Sequence, residues 1–176
     1  MNEFRVYLRP VSRRDRDEFI AAMRDSAPLH NPWIISPTSR EMFNAYLKRM
    51  ERHDHDGLLV IDKATDAIAG CININNIIRG TFLSATLGYY VTAPFAGCGY
   101  MREGLALAVE HAFRNLGLHR LEANIQPENQ RSIELVRRCG FRKEGLSPQY
   151  LFIAGAWRDH ERWTRLDSRP SLHPAS

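Results

Sequence analysis

The sequence predicts an α+β protein: one mixed, mostly antiparallel seven-stranded sheet with about four helices on its faces. Three observations carry this. The period of the apolar residues switches repeatedly between two and 3.6 along the chain. Residues 57–92 read as three successive strands joined by short turns, which is an antiparallel meander. A strongly periodic helix then separates a strand at 85–91 from one at 121–126. A helical crossover of that kind joins parallel strands, so the sheet is mixed.

Each element has its own signal. Residues 4–9 form a short strand ending at Pro10. Ser12 caps a helix over 13–25 that buries Phe19, Ala22 and Met23. Pro28, Pro32 and Pro37 punctuate a loop carrying His30 and Trp33. Thr38-Ser39-Arg40-Glu41 is a capping-box sequence, opening a helix with Phe43, Tyr46, Leu47 and Met50 at helical spacing. Strands follow at 57–62, 68–78 and about 81–92; in the second, Ile72 and Ile74 alternate with Asn73 and Asn75. Met101, Leu105, Ala108, Val109, Ala112 and Phe113 stripe a helix over 100–115 that Gly117 ends. Asn129 caps a short helix ending at Gly140. Residues 150–153 and 157–166 form a closing hairpin around Ala154-Gly155-Ala156. The domain is predicted to span 1–166, with a frayed tail over 167–176.

Bulk properties narrow the class. The chain has 176 residues, 44% of them apolar and 25% charged, enough for one real core. No apolar run approaches the roughly 18–20 residues that span a bilayer, so no membrane partner is expected. The N-terminus lacks a signal-peptide stretch, and Cys71, Cys98 and Cys139 fit neither a disulfide framework nor a zinc pattern. These features predict a cytoplasmic protein with reduced thiols. The seven histidines show no metal-ligand spacing, so no metal is expected. A net charge of +4 favours anionic partners. No long basic run or aromatic-basic signature points to direct nucleic-acid binding.

The most informative motif is Gly97-Cys98-Gly99, set between a strand and a helix. Two glycines at such a turn let backbone N–H groups surround a phosphate, and the helix N-terminus adds partial positive charge. It is not a dinucleotide fingerprint, since Arg102 stands where the third glycine falls. No Gly-Lys-Ser or Gly-Lys-Thr follows to make a Walker A loop.

A second block lies about thirty residues on, Asn129-Gln130-Arg131-Ser132 through Gly140-Phe141-Arg142-Lys143-Glu144-Gly145. With these two blocks in this element order, residues 4–166 resemble the GNAT superfamily of acetyl-CoA-dependent N-acetyltransferases. Leu87-Gly88-Tyr89-Tyr90-Val91, Gly99-Tyr100-Met101-Arg102-Glu103 and Gly155-Ala156-Trp157-Arg158-Asp159-His160 are similar to its ribosomal-protein-alanine N-acetyltransferase (RimJ/RimL-type) subgroup. The resemblance implies a sheet splayed between strands 4 and 5. It implies acetyl-CoA as donor, cradled by the amides of Phe95, Ala96, Gly97, Cys98, Gly99, Tyr100 and Met101. The strand at Tyr89, Tyr90 and Val91 pairs with the pantetheine amides, and Asn129 touches the coenzyme or caps its helix. Pro94 replaces the Gln or Arg that the family pattern places before the first glycine, which removes one side-chain contact.

For chemistry, the resemblance makes Ser132 the proton donor to the departing thiolate, near the coenzyme sulfur. Val136 stands where other members carry a donor tyrosine and cannot donate. Glu122 matches a glutamate used as base by some members; Leu151 stands where one branch of the subgroup has its own glutamate. Glu103 reads as a supporting helix residue. Trp33, Tyr89, Tyr150 and Phe152 are candidates to line the acceptor cleft, and Asp159-His160 to anchor the hairpin. The implied acceptor is the N-terminal α-amine of a protein such as a ribosomal protein. An α-amine with a pKa of about 7.7–8 is partly neutral at pH 7, whereas a lysine must lose about 3.4 units, roughly 4.6 kcal/mol. The alternatives are a small-molecule amine (amino acid, polyamine or drug) and a non-catalytic acyl-CoA-binding module. Family members are often homodimers.

Overall fold

In the computed structural model, residues 4–169 are described; most of the predicted tail, residues 170–176, lies outside them. Seven strands form one sheet: β1 (Val6–Pro10), β2 (Asp56–Asp62), β3 (Ile68–Ile78), β4 (Ser84–Val91), β5 (Arg120–Ile125), β6 (Arg142–Ile153) and β7 (Ala156–Leu166). Their spatial order is β1-β2-β3-β4-β5-β7-β6. Only β4 and β5 run parallel. The helices are α1 (Arg16–Asp25), α2 (Ala27–His30), α3 (Arg40–Met50), α4 (Tyr100–Arg114) and α5 (Gln130–Arg138).

The sheet separates two cores. On one face Leu105, Ala108, Val109 and Ala112 of α4 and Ile133 and Val136 of α5 pack on Val60, Ile72, Ile74, Leu87, Leu121 and Ala123. On the other, Phe19 and Met23 of α1 and Phe43, Tyr46 and Leu47 of α3 pack on Leu59, Ile61 and Cys71. Gly104 lets α4 lie directly on β2, since a Cβ there would stand 2.7 Å from Val60 Cγ2. The close approach outweighs the helix propensity that glycine forgoes, about 1 kcal/mol.

Three elements differ from the sequence expectation. Residues 27–30 form a one-turn helix with Pro28 in its first turn, where a missing N–H costs nothing. Ser39, not Thr38, caps α3, accepting from the Met42 amide. Strand β6 begins at Arg142 rather than 150. It is the sheet's edge, so its polar sequence and Pro148 are tolerated there, and its register shifts between Ser147 and Leu151.

The second core holds one polar knot. Tyr46 O–H donates to Asn73 Oδ1 (2.7 Å) and lies 3.1 Å from Cys71 Sγ. Burial pushes the Cys71 thiol up to about 12. Tyr46→Phe strips Asn73 Oδ1 of its best donor. Denaturant unfolding of that variant is expected to show a loss of about 1–3 kcal/mol.

Candidate active site

The site begins where two strands part. β4 and β5 pair from Ser84↔Arg120 to Leu87↔Ala123, and there the ladder ends. Beyond it Gly88, Tyr89, Tyr90 and Val91 continue along β3 alone. The β4 edge that faced β5 is therefore left with backbone groups that no strand meets.

The end of β4 is fixed from several directions. Thr92 Oγ1 is buried and donates to the carbonyls of Ile68 and Ala69 (2.9 and 3.0 Å). Ser26, at the end of α1, accepts from the Ala93 amide (2.8 Å). Ala93–Phe95 then form a 3₁₀ turn that includes Pro94, whose fixed φ suits the position.

The glycine turn follows. Gly97 and Gly99 have φ of +75° and +87°, conformations that other residues adopt only with strain. A Cβ on Gly97 would point into open space. Among the described residues, the amides of Gly97, Gly99, Tyr100 and Met101 have no backbone acceptor. They lie at the N-terminus of α4, where the helix partial charge is positive.

Arg5 and Glu103 brace this turn. Glu103 accepts from both the Arg5 amide (2.7 Å) and Arg5 Nε (2.8 Å). Arg5 Nη2 donates to the Cys98 carbonyl (3.0 Å), and the guanidinium lies 4.3 Å over the Tyr100 ring. Tyr100 in turn meets Phe95 edge-on. Glu103 is thus a supporting residue, as its place in the first turn of α4 suggested; its partner Arg5, ninety-eight residues away in sequence, carried no signal.

Across the parting, Asn129 Oδ1 accepts from the Ser132 amide (3.2 Å), capping α5. The Ser132 hydroxyl and the Tyr89 phenol lie 2.5 Å apart. Burial raises the phenol's pKa, and its bond to Ser132 opposes that, so Tyr89 stays protonated. The sequence assigned Tyr89 to the coenzyme strand and the cleft lining but gave no hint of this pair. Val136 is fully buried in the core.

Glu122 lies elsewhere. Leu121 and Ala123 enter the α4–α5 core, so strand alternation turns Glu122 to the opposite face from Tyr89 and Ser132. It sits opposite Thr86, where the strands still pair, and accepts from Arg120 Nε (2.7 Å). Arg120 also reaches Glu144 and Thr164. The structure therefore does not bring Glu122 together with the Ser132 hydroxyl.

A strap closes the opposite side. His30 Nε2 lies 2.8 Å from the Val91 carbonyl and Nδ1 2.9 Å from Ser36 Oγ. Since a carbonyl only accepts, Nε2 carries the proton and Nδ1 accepts from Ser36. Gln126, just past β5, donates to the Trp33 carbonyl (3.2 Å). Residues 30–36 therefore tie the free ends of both parted strands together. Of the other candidate aromatics, Phe152 and Trp157 form an exposed edge-on pair at the hairpin tip, and Tyr150 lies against His160. Asp159 accepts from the Gln149 amide, holding the hairpin. Among the described residues no cluster of three or more His, Cys, Asp or Glu could hold a metal. Among the described residues, no helix is long and apolar enough to cross a membrane.

The parted strands and the glycine turn both lie within the part of the chain, residues 5–142, that matches one family model, the acetyltransferase (GNAT) domain. The chain belongs to this family. It is an N-acetyltransferase, and GNAT acetyltransferases use acetyl-CoA. The [ribosomal protein uS5]-alanine N-acetyltransferase of Escherichia coli is 41% identical over 101 residues, which cover 57% of this chain and 52% of that protein. The spermidine N(1)-acetyltransferase of Vibrio cholerae is 27% identical over 92% of this chain and 93% of its own. Among solved structures, Mycobacterium smegmatis RimJ in complex with CoA-disulfide superposes with a TM-score of 0.84 at 28% identity. That match covers 92% of this chain and 81% of that one.

His30 generates a pH prediction. Burial holds its imidazole below the usual value, partly offset by the Val91 carbonyl. The unfolded chain takes up a proton below about pH 6.5 while the folded chain resists it, so this contribution to stability falls with the pH. The stability difference between wild type and His30→Gln, from urea unfolding at pH 7.5 and 5.5, is expected to shrink at the lower pH.

Proposed function

We propose that this enzyme moves the acetyl group of acetyl-CoA directly to the N-terminal α-amine of a protein. The observation that carries the acceptor class is the charge on the sheet face opposite Tyr89 and Ser132. Near the parting that face carries neutral amides from Asn75, Asn124 and Gln126, with Asn73 buried beneath them against Tyr46. Its carboxylates, Glu122 and Glu144, are spent on Arg120. A polyamine with several positive charges calls for unpaired carboxylates, whereas a peptide chain with one amine suits amides. The relationship to the uS5-alanine enzyme supports the same reading.

In this reading the free amides of Gly97, Gly99, Tyr100 and Met101 hold the pyrophosphate, with Phe95, Ala96 and Cys98 completing the loop. The β4 edge running from Tyr89 through Tyr90 to Val91 takes the pantetheine amides, chiefly at Tyr89, since the Val91 carbonyl already accepts from His30. Asn129 serves chiefly as the α5 cap. The amine nitrogen attacks the thioester carbon, the C–S bond breaks, and the sulfur receives a proton from Ser132; the proton that the nitrogen sheds on becoming an amide passes through solvent and restores the Ser132 hydroxyl. Tyr89, 2.5 Å away and protonated, supports that donor. An α-amine supplies its own neutral fraction, so Glu122 is left as a partner for Arg120 and no strong base is required.

An acceptor panel tests the reading. Turnover of a peptide with a free alanyl terminus, without turnover of spermidine or free amino acids, is the expected result. Preference for spermidine overturns the acceptor class. Two variants separate the loop from the donor. Ser132→Ala is expected to lower kcat about tenfold to a hundredfold with acetyl-CoA affinity nearly unchanged. Gly97→Val, forced to φ of +75° with its side chain in the open space over the turn, is expected to abolish acetyl-CoA binding by calorimetry while thermal unfolding stays cooperative.

A further inference from the structure

Among the described residues, one buried side-chain polar atom has no hydrogen-bond partner: Asn124 Oδ1. An unsatisfied buried acceptor is costly, and native chains rarely keep one without a use. Its position is informative. Ala123 makes the last pair with β4, so Asn124 is the first β5 residue past the parting. Ala123 and Ile125 enter the α4–α5 core, which turns Asn124 to the opposite face from Tyr89 and Ser132. Gly88 is the residue it would have met had the ladder continued. A Cβ there would find only Asn75 Nδ2, at 3.4 Å, so beside Gly88 there is room for a ligand atom next to an amide.

We infer that Asn124 Oδ1 accepts an N–H of the acceptor amine and aims its lone pair at the thioester. This rests on the proposed transfer to an amine. The choice of group fits the chemistry. A carboxylate here would stabilise the ammonium form, which cannot attack. A neutral carbonyl holds one N–H and leaves the nitrogen lone pair free. Asn124 is thus a specificity-determining residue for an unprotonated amine bearing at least one N–H.

The test uses CoA conjugates in which the sulfur carries an acetyl bridge to the amine of an alanyl peptide or of spermidine. A third conjugate has that peptide's alanine nitrogen methylated and so lacks the N–H. Affinities relative to CoA alone are measured for wild type, Asn124→Leu and Asn124→Asp. Wild type is expected to bind the alanyl conjugate more tightly than CoA. Asn124→Leu should lose about tenfold of that gain while binding CoA unchanged. Asn124→Asp, which keeps an oxygen there, should retain most of it. The methylated conjugate should lose the same tenfold on wild type and nothing further on Asn124→Leu, a non-additivity that a merely structural role would not produce. A full gain on Asn124→Leu, or a loss equal for CoA itself, overturns the assignment and leaves the acceptor class standing. If only the spermidine conjugate gains on wild type, the peptide reading fails, and the same comparison on that conjugate decides Asn124. If neither conjugate gains, the peptide reading fails and the inference falls with it.

Discussion

The parting of β4 from β5 is the constraint on which the rest depends. A parallel pair that simply continued would satisfy its own backbone and leave no edge for a ligand. Here the ladder stops after four residue pairs, and the structure supports the open edge from outside. Thr92 and Ser26 fix the far end of β4, and β3 keeps it extended. The His30 strap reaches from the Val91 carbonyl to the other wall through Gln126. These contacts hold two strands apart without mutual hydrogen bonds, so the cleft exists before any ligand arrives. A preformed cleft spares the binding step the cost of ordering these strands.

Charge is arranged to keep that cleft's interior simple. Glu103 is neutralised by Arg5, and Glu122 and Glu144 by Arg120. The Arg5 pair also orients a carbonyl and a ring of the glycine turn, so its main effect is geometric; exposed ion pairs contribute little stability by themselves. What remains for chemistry is mostly neutral: amides, two hydroxyls and free backbone N–H groups. Such groups suit a reaction that begins with a neutral amine and ends with a proton on sulfur.

The parts of this site that a sequence makes legible are those with local causes. The glycines of the turn are set by φ, the stripe of α4 by its period, and the Asn129 cap by its own backbone. Long-range partnerships left no local trace. Arg5 with Glu103, Tyr89 with Ser132, and His30 with Val91 join residues 98, 43 and 61 positions apart. The edge strand β6 was hidden for a different reason: exposure removes the alternation by which strands are read. Glu122 matches a base by motif, and its ion pair with Arg120, two residues earlier on the same face, is a contact that no motif announces.

The adjacent Tyr89 and Tyr90 show how one strand can serve both sides of a reaction. Strand alternation sends their rings to opposite faces. Tyr89 packs against the α4–α5 core and meets Ser132, on the side argued here for the departing thiol. Tyr90 packs against the α1–α3 core beside His30 and the strap, on the side argued for the acceptor. Burial pushes the Tyr90 phenol up to about 12, so it remains neutral throughout the useful pH range. A shift of one residue in the β3–β4 register would exchange the two rings and take Tyr89 away from Ser132. The pairing of Ile72 with Tyr89 and Cys71 with Tyr90 is therefore as much a part of the chemistry as the hydroxyls themselves. The apolar Ile72 and Ile74, buried under α4, keep that register from slipping.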